Sequence, residues 1–318
     1  MPLPRSPYIP PDEAPRIVEL GTAARRWAAN HYAYCADLYG WEMKPNSRRS
    51  TDRLMQHSGP AGPWGEVVHG DYVSIVCQYM SAAADSLDGF GAVCLAGAAQ
   101  SPPLVLARIS LEYSTRAAWL LDRGCSWRQR AARAHLELLL GIEERVKGMP
   151  KTVDGAPNES RAALKRYRKK FRDDVIPGLF ESVEADDQDK PDKQASHTSI
   201  EGEQLKSLTD GVRLYERAAF GAEIDFYDAL STFSHPNPVV SRFFARTAHD
   251  DDGTPFGRRF EASAAALELA LAIPIVALVK LEFEWAKYSG WDDTPLRDWE
   301  DDVATVLPNV YNEARRAN

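Results

Sequence analysis

The chain has 318 residues, enough to bury a substantial core, and its hydrophobic fraction of 44% with eight tryptophans excludes a disordered polypeptide. A formal charge of -8 removes the usual electrostatic drive for non-specific DNA binding, so DNA is not an expected partner. The four cysteines, Cys35, Cys77, Cys94 and Cys125, form no CxxC or CxxH pair, which argues against a structural zinc site or a disulfide framework and for a reducing, cytoplasmic setting.

Residues 1–12 are Pro-rich and read as an extended N-terminus without the apolar stretch of a signal peptide. From Asp12–Glu13 a helix is expected to about Tyr39, with Ile17, Leu20, Ala24, Trp27, Ala28 and Tyr32 on a helical period and Gly40 as its stop. Residues 41–65 carry the breakers Pro45 and Gly59–Pro63 and read as irregular. An Ala-rich helix follows, about Glu66–Ala98. Ser101 with Pro102 and Pro103 opens the next helix, Leu104–Arg123, closed by Gly124, and Ser126 caps a third, Trp127–Lys147. The short turns between them predict antiparallel neighbours in a bundle.

After a polar loop at 151–160, a basic amphipathic helix is expected over Ser160–Glu184, interrupted at Pro177-Gly178, and residues 185–199 read as a mobile loop. Helices are expected again near Gly202–Thr209, Gly211–Phe220 and Glu223–Ser234, up to the break at His235-Pro236-Asn237-Pro238. A loop at 249–257 precedes a core helix, about Arg258–Tyr288, and a last helical segment spans Leu296–Ala317 with a break at Pro308. The longest uncharged run of the core helix, Leu269–Val279, is shorter than the about 20 residues a bilayer span needs, so no membrane association is expected. With alternating β-branched runs nearly absent, the fold reads as all-α: a multi-helix bundle in one domain over 13–318.

Two polar stripes stand out. Arg108, Glu112 and Arg116 are spaced i, i+4, i+8 and share one face of a helix that is otherwise strongly apolar. Charges in such a helix either pair with one another or line a cavity. One reading is an intrahelical ion-pair ladder; the other is a guanidinium–carboxylate site for an anion. Tyr227, Ser231 and His235 form the second row, with His235 at a helix end where carbonyl dipoles favour imidazolium. It reads either as a C-cap with a hydrogen-bond network or as an acid/base set. No GxSxG elbow is present.

The segment around Arg128, Arg130, Arg133 and His135 contains an R-x4-H pattern at Arg130 and His135, and these arginines are candidates to pair with Glu112 across the turn or, for Arg133, with Glu137. Metal signatures are weak. Glu66-x-x-His69 has no second ExxH, and Asp250–Asp252 lacks EF-hand spacing, so no metal and no cofactor is expected. GxGxxG and GxxxxGK[ST] are absent. The basic run Lys165–Arg172 reads as an exposed helix face or a phosphate-tracking surface.

On these residues, LARISLEYSTRAAWLLD, RQRAARAHLELL and the later YDALSTFSH, the chain resembles a group of uncharacterised actinobacterial helical proteins with an Arg-x3-Glu helix and a distant Tyr-x3-Ser-x3-His. Some of that group look HEPN-like, which implies an RNA-directed activity and an R-x4-6-H motif. The expectation is a polar pocket for an anionic ligand, a nucleotide or RNA phosphate. In a hydrolytic version Arg108 and Arg116 hold the phosphate, His235 acts as acid/base and Glu112 orients one of them, while Tyr227, Ser231 and Arg130 add ligand contacts. The alternative is a non-enzymatic scaffold, a homodimer through the Ala-rich helices, in which both stripes are structural.

Overall fold

Ser126 opens a helix with a double cap in the computed structural model. Its hydroxyl accepts from the Gln129 backbone N–H at 3.3 Å, and Gln129 Oε1 accepts from the Ser126 N–H at 2.9 Å, a reciprocal capping box. The residues described are 12–36, 43–57, 65–97, 101–153, 156–185, 195, 198–220, 227–228, 230–231, 245–249, 255–260 and 263–308. Among them the protein is an all-α multi-helix bundle. In chain order the elements are α1 (Ala14–Ala36), α2 (Arg48–His57), α3 (Gly65–Leu95), α4 (Ser101–Leu121), α5 (Trp127–Gly148), β1 (Thr152–Val153), β2 (Ala156–Pro157) and α6 (Glu159–Lys170). A π turn (Phe171–Val175), α7 (Ile176–Leu179), β3 (Val183–Ala185), β4 (Thr198–Ile200), β5 (Glu203–Gln204), α8 (Leu208–Phe220), β6 (Ala245–His249), β7 (Pro255–Phe260), α9 (Ala264–Ser289) and α10 (Thr294–Val306) follow.

Chain packing resolves two compact units: residues 1–44, 78–118 and 208–318, and residues 45–77 and 119–207. Helices α3 and α4 each contribute to both.

In the first unit, α1 and α9 run parallel. Glu13 accepts from the Ala264 backbone N–H at the start of α9, Arg16 binds Glu268 through Nε at 3.0 Å and Nη2 at 2.6 Å, and His31 meets Glu282. A carboxylate at a helix N-terminus satisfies an otherwise orphan donor and the local dipole. Helix α10 is held to α1 by Asp302, which takes Arg26 Nε at 3.0 Å and Trp27 Nε1 at 2.7 Å. Helix α9 is 26 residues long and apolar enough in composition to cross a membrane, but 72% of its most apolar stretch is buried. Helix α3 crosses α1 at Gly21 and Gly91: a Cβ on Gly91 would sit on the Gly21 carbonyl oxygen and the Arg25 side chain.

The second unit is built on α5. Ala131, Ala132, Leu136 and Leu139 pack with Val68, Phe171, Ile176, Phe180, Ala195 and Ile200. His135 stacks on Phe171 at 5.8 Å between centroids and meets the edge of Phe180 at 5.1 Å.

Several boundaries differ from the sequence reading. Residues 48–57, expected irregular, form α2. Its sequence has no strong apolar stripe, and it is held by polar contacts instead: Ser47 Oγ accepts from the Ser50 N–H at 3.1 Å, and Arg48 donates to the carbonyls of Arg123 and Cys125 at 2.9 and 2.8 Å. The helix expected to Glu184 stops at Leu179, after the Ile176 N–H bonds to the Phe171 carbonyl in the π turn ahead of Pro177, which has no N–H to give. The end of the expected 185–199 loop is strand β4, with Ala195, Thr198 and Ser199 buried, and the expected helix at 202–209 is strand β5 followed by the start of α8. The core helix begins at Ala264, capped by Ser263, because Pro255–Phe260 pairs with Ala245–His249 as an antiparallel ribbon.

Gly91→Ala is expected to lower stability by about 1–3 kcal/mol, the cost of overpacking a close helix crossing, read as a shifted urea midpoint with an unchanged slope.

Candidate functional site

Helix α4 presents Arg108 and Glu112 one turn apart, as the i, i+4 spacing requires. Arg108 Nε donates to Glu112 Oε1 at 2.7 Å. Tyr227, more than a hundred residues later, donates its hydroxyl to the same Glu112 oxygen at 2.8 Å and accepts from Arg108 Nη2 at 3.0 Å. The guanidinium carbon lies 5.1 Å from the centre of the Tyr227 ring. The first members of the two polar stripes therefore meet in a closed triangle. Tyr227 is 3% exposed, while the side chains of Arg108 and Glu112 keep 16% and 19% of their surface in solvent.

Burial raises the Tyr227 pKa and the bond to Glu112 adds to it, with Arg108 opposing. The phenol stays protonated and acts as a donor to carboxylate. Burial works against the Arg108 charge, but Tyr227 and Glu112 more than offset it, and the net direction is upward.

Arg116 is half-buried one turn beyond Glu112, and Ser231 is half-buried one turn beyond Tyr227. His235 lies outside the described residues. Arg130 belongs to the second unit. It is 2% exposed and bonded to the Asp52 carboxylate and the Cys125 carbonyl. Arg133 does not bind Glu137. Its Nε donates to Glu203 at 2.7 Å, and its Nη1 donates to the Trp119 carbonyl and reaches Asp122 at 3.3 Å. The reason is geometric: the arginines of α5 close over the α4–α5 turn and the β4–β5 hairpin, where carbonyls and carboxylates are already clustered. His135, the other half of the R-x4-H pattern, faces Phe171 and Phe180, and its Nδ1 contacts the Ala131 carbonyl at 2.9 Å. Burial lowers its pKa.

Two further clusters in the first unit were not singled out from the sequence. A cleft of about 480 Å³ is lined by three cations, Lys280, Lys287 and Arg297, and three anions, Glu284, Asp293 and Glu300. Burial lowers the Lys280 pKa, against the pull of Glu300. Lys280, Glu284 and Lys287 recur at i, i+4, i+7 on the otherwise apolar α9, a visible signal. His31, Cys35 and Glu282 bring ligand-type atoms within 4.8 Å of one another. The His31-x3-Cys35 half of that cluster is legible as an i, i+4 pair; Glu282 is not.

No match emerges from comparison with protein-family models, curated proteins or solved structures.

In the second unit, burial together with Arg49 and Arg53 lowers the pKa of His69 to about 4. A depressed histidine is neutral in the native state and takes up a proton more readily when unfolded, so its contribution is present above the unfolded value and lost as pH falls. Acid titration from about pH 6.5 to 4 is expected to cost about 3 kcal/mol through this residue. His69→Gln should flatten that part of the stability–pH curve measured by chemical denaturation.

Proposed function

We propose that this chain binds a small phosphate-bearing anion, a nucleotide or an RNA phosphate, at the Arg108–Glu112–Tyr227 cluster, with Arg116 as the second guanidinium. The observation that carries this reading is the convergence of Arg108, Glu112 and Tyr227 from distant parts of the chain. Glu112 takes Arg108 and Tyr227 on one oxygen, which fixes the guanidinium plane, and a planar donor fork suits phosphate oxygens. The HEPN-like ribonuclease version of this reading rests on the sequence resemblance. Its acid/base would be His235 and not His135, whose ring is enclosed by phenylalanines.

A second reading is favoured by the closure of the triangle itself. Each of the three groups is already bonded to the other two, as expected of a structural network in a non-enzymatic scaffold or homodimer.

Calorimetric titration with inorganic phosphate, ATP and a short single-stranded RNA separates the two. Under the binding reading at least one probe binds, and Arg108→Gln or Arg116→Gln weakens it about tenfold or more, as loss of a charge-assisted hydrogen bond worth about 1.5–3 kcal/mol implies. Tyr227→Phe weakens it less. Absence of binding by all three probes, or variants that bind as the parent does, leaves the scaffold reading, which light scattering then checks as a dimer. The ribonuclease version requires RNA cleavage by the parent that His235→Ala abolishes without unfolding.

A further inference from the structure

Glu282 is fully buried, at 0% exposure, inside the most apolar helix of the protein. One of its oxygens meets His31, itself 1% exposed; the other, Oε2, is buried with no hydrogen-bond partner. Taking a carboxylate out of water costs several kcal/mol unless a cation and further hydrogen bonds compensate it. A single imidazole leaves half of the carboxylate uncompensated.

The neighbouring group is a thiol. Cys35 is one helical turn beyond His31 on α1, so both project from the same face. Its Sγ lies 3.7 Å from His31 Nδ1 and 3.9 Å from Nε2. One imidazole, one thiol and one carboxylate thus share a pocket between two parallel helices. Tetrahedral bonds of about 2.0–2.3 Å to nitrogen, oxygen and sulfur place ligand atoms about 3.4–3.6 Å apart. The sulfur–nitrogen separation is already close to that value.

We propose that His31, Cys35 and Glu282 form a zinc site that joins α1 to α9. The donor set selects the ion: a thiolate is too soft for calcium or magnesium, and imidazole with thiolate and carboxylate suits Zn²⁺. On binding, the Cys35 thiol loses its proton to solvent as the S–Zn bond forms, the proton that His31 Nδ1 shares with Glu282 leaves for solvent or for Nε2, and the direct His31–Glu282 contact gives way to two bonds to the same ion. The two negative ligands then balance the charge of the ion, so the buried carboxylate no longer depends on one imidazole. Three protein ligands leave the fourth position to water, and Cys35, half-buried, gives the side from which ion and water enter.

The test uses the full chain, expressed with zinc and analysed for bound metal by mass spectrometry, then stripped and titrated with Co²⁺. One zinc per chain and, with cobalt, a thiolate-to-metal charge-transfer band with tetrahedral visible bands are expected. Cys35→Ser should abolish the charge-transfer band, and Glu282→Gln should weaken affinity about tenfold or more. Chelation should lower the melting temperature of the parent and leave Cys35→Ser unchanged, which keeps the test decisive if Glu282→Gln does not fold. A parent protein that holds no zinc and gives no thiolate band overturns the proposal and leaves a buried His–Glu pair. Metal bound equally by parent and Cys35→Ser also overturns it, since the ion then sits elsewhere.

Discussion

The parallel pairing of α1 with α9 is the constraint on which the first unit rests. Helix α9 is apolar on nearly every side, and such a helix is stable in water only when covered. Helix α1 covers it and fixes its register through three polar rungs, at Glu13–Ala264, Arg16–Glu268 and His31–Glu282. Hydrophobic contact alone is non-directional and would tolerate a slide of one turn. The rungs do not, because a slide strands a buried carboxylate at 282 and a half-buried one at 268. The same helix then receives α10 through Asp302 and α3 through the Gly21–Gly91 crossing, so the placement of both follows from α1.

Helices with their own start signals were legible in the sequence. Ser126, with Gln129 at N3, is a local device that needs no tertiary partner. Helix α2 was not legible, since its stability comes from Arg48 reaching carbonyls seventy-five residues away and from its Ser47 cap. The small sheets were hidden for a related reason: strands of two to six residues carry too few alternations to show a period, and what defines them is the partner strand. The π turn precedes Pro177, which is legible in the sequence only as an interruption of the helix.

The candidate site divides the same way. That Arg108 and Glu112 share a face is arithmetic on one helix, and Tyr227 is legible as the first member of its own i, i+4 row. The fate of the α5 arginines was not readable, because their acceptors, Asp52, Cys125 and Glu203, come from three separate segments. Nor was the His31–Glu282 encounter, which spans 251 positions and involves a residue type rarely placed in such an apolar helix.

The π turn at Phe171–Val175 has a consequence for how this chain tolerates changes in length. Nine α-helical steps separate Phe171 from Phe180, which in an unbroken helix amounts to about 900° of rotation and puts the two rings on opposite sides. Both nevertheless contact His135. The wider turn and the extended backbone at Phe180 absorb the difference. The aromatic clamp on this imidazole is therefore a gauge of residue number: a single deletion within 171–175 unwinds the correction and releases one jaw, whereas the same deletion upstream in α6 leaves the spacing between the two rings unchanged and instead turns the residues ahead of it by about 100°.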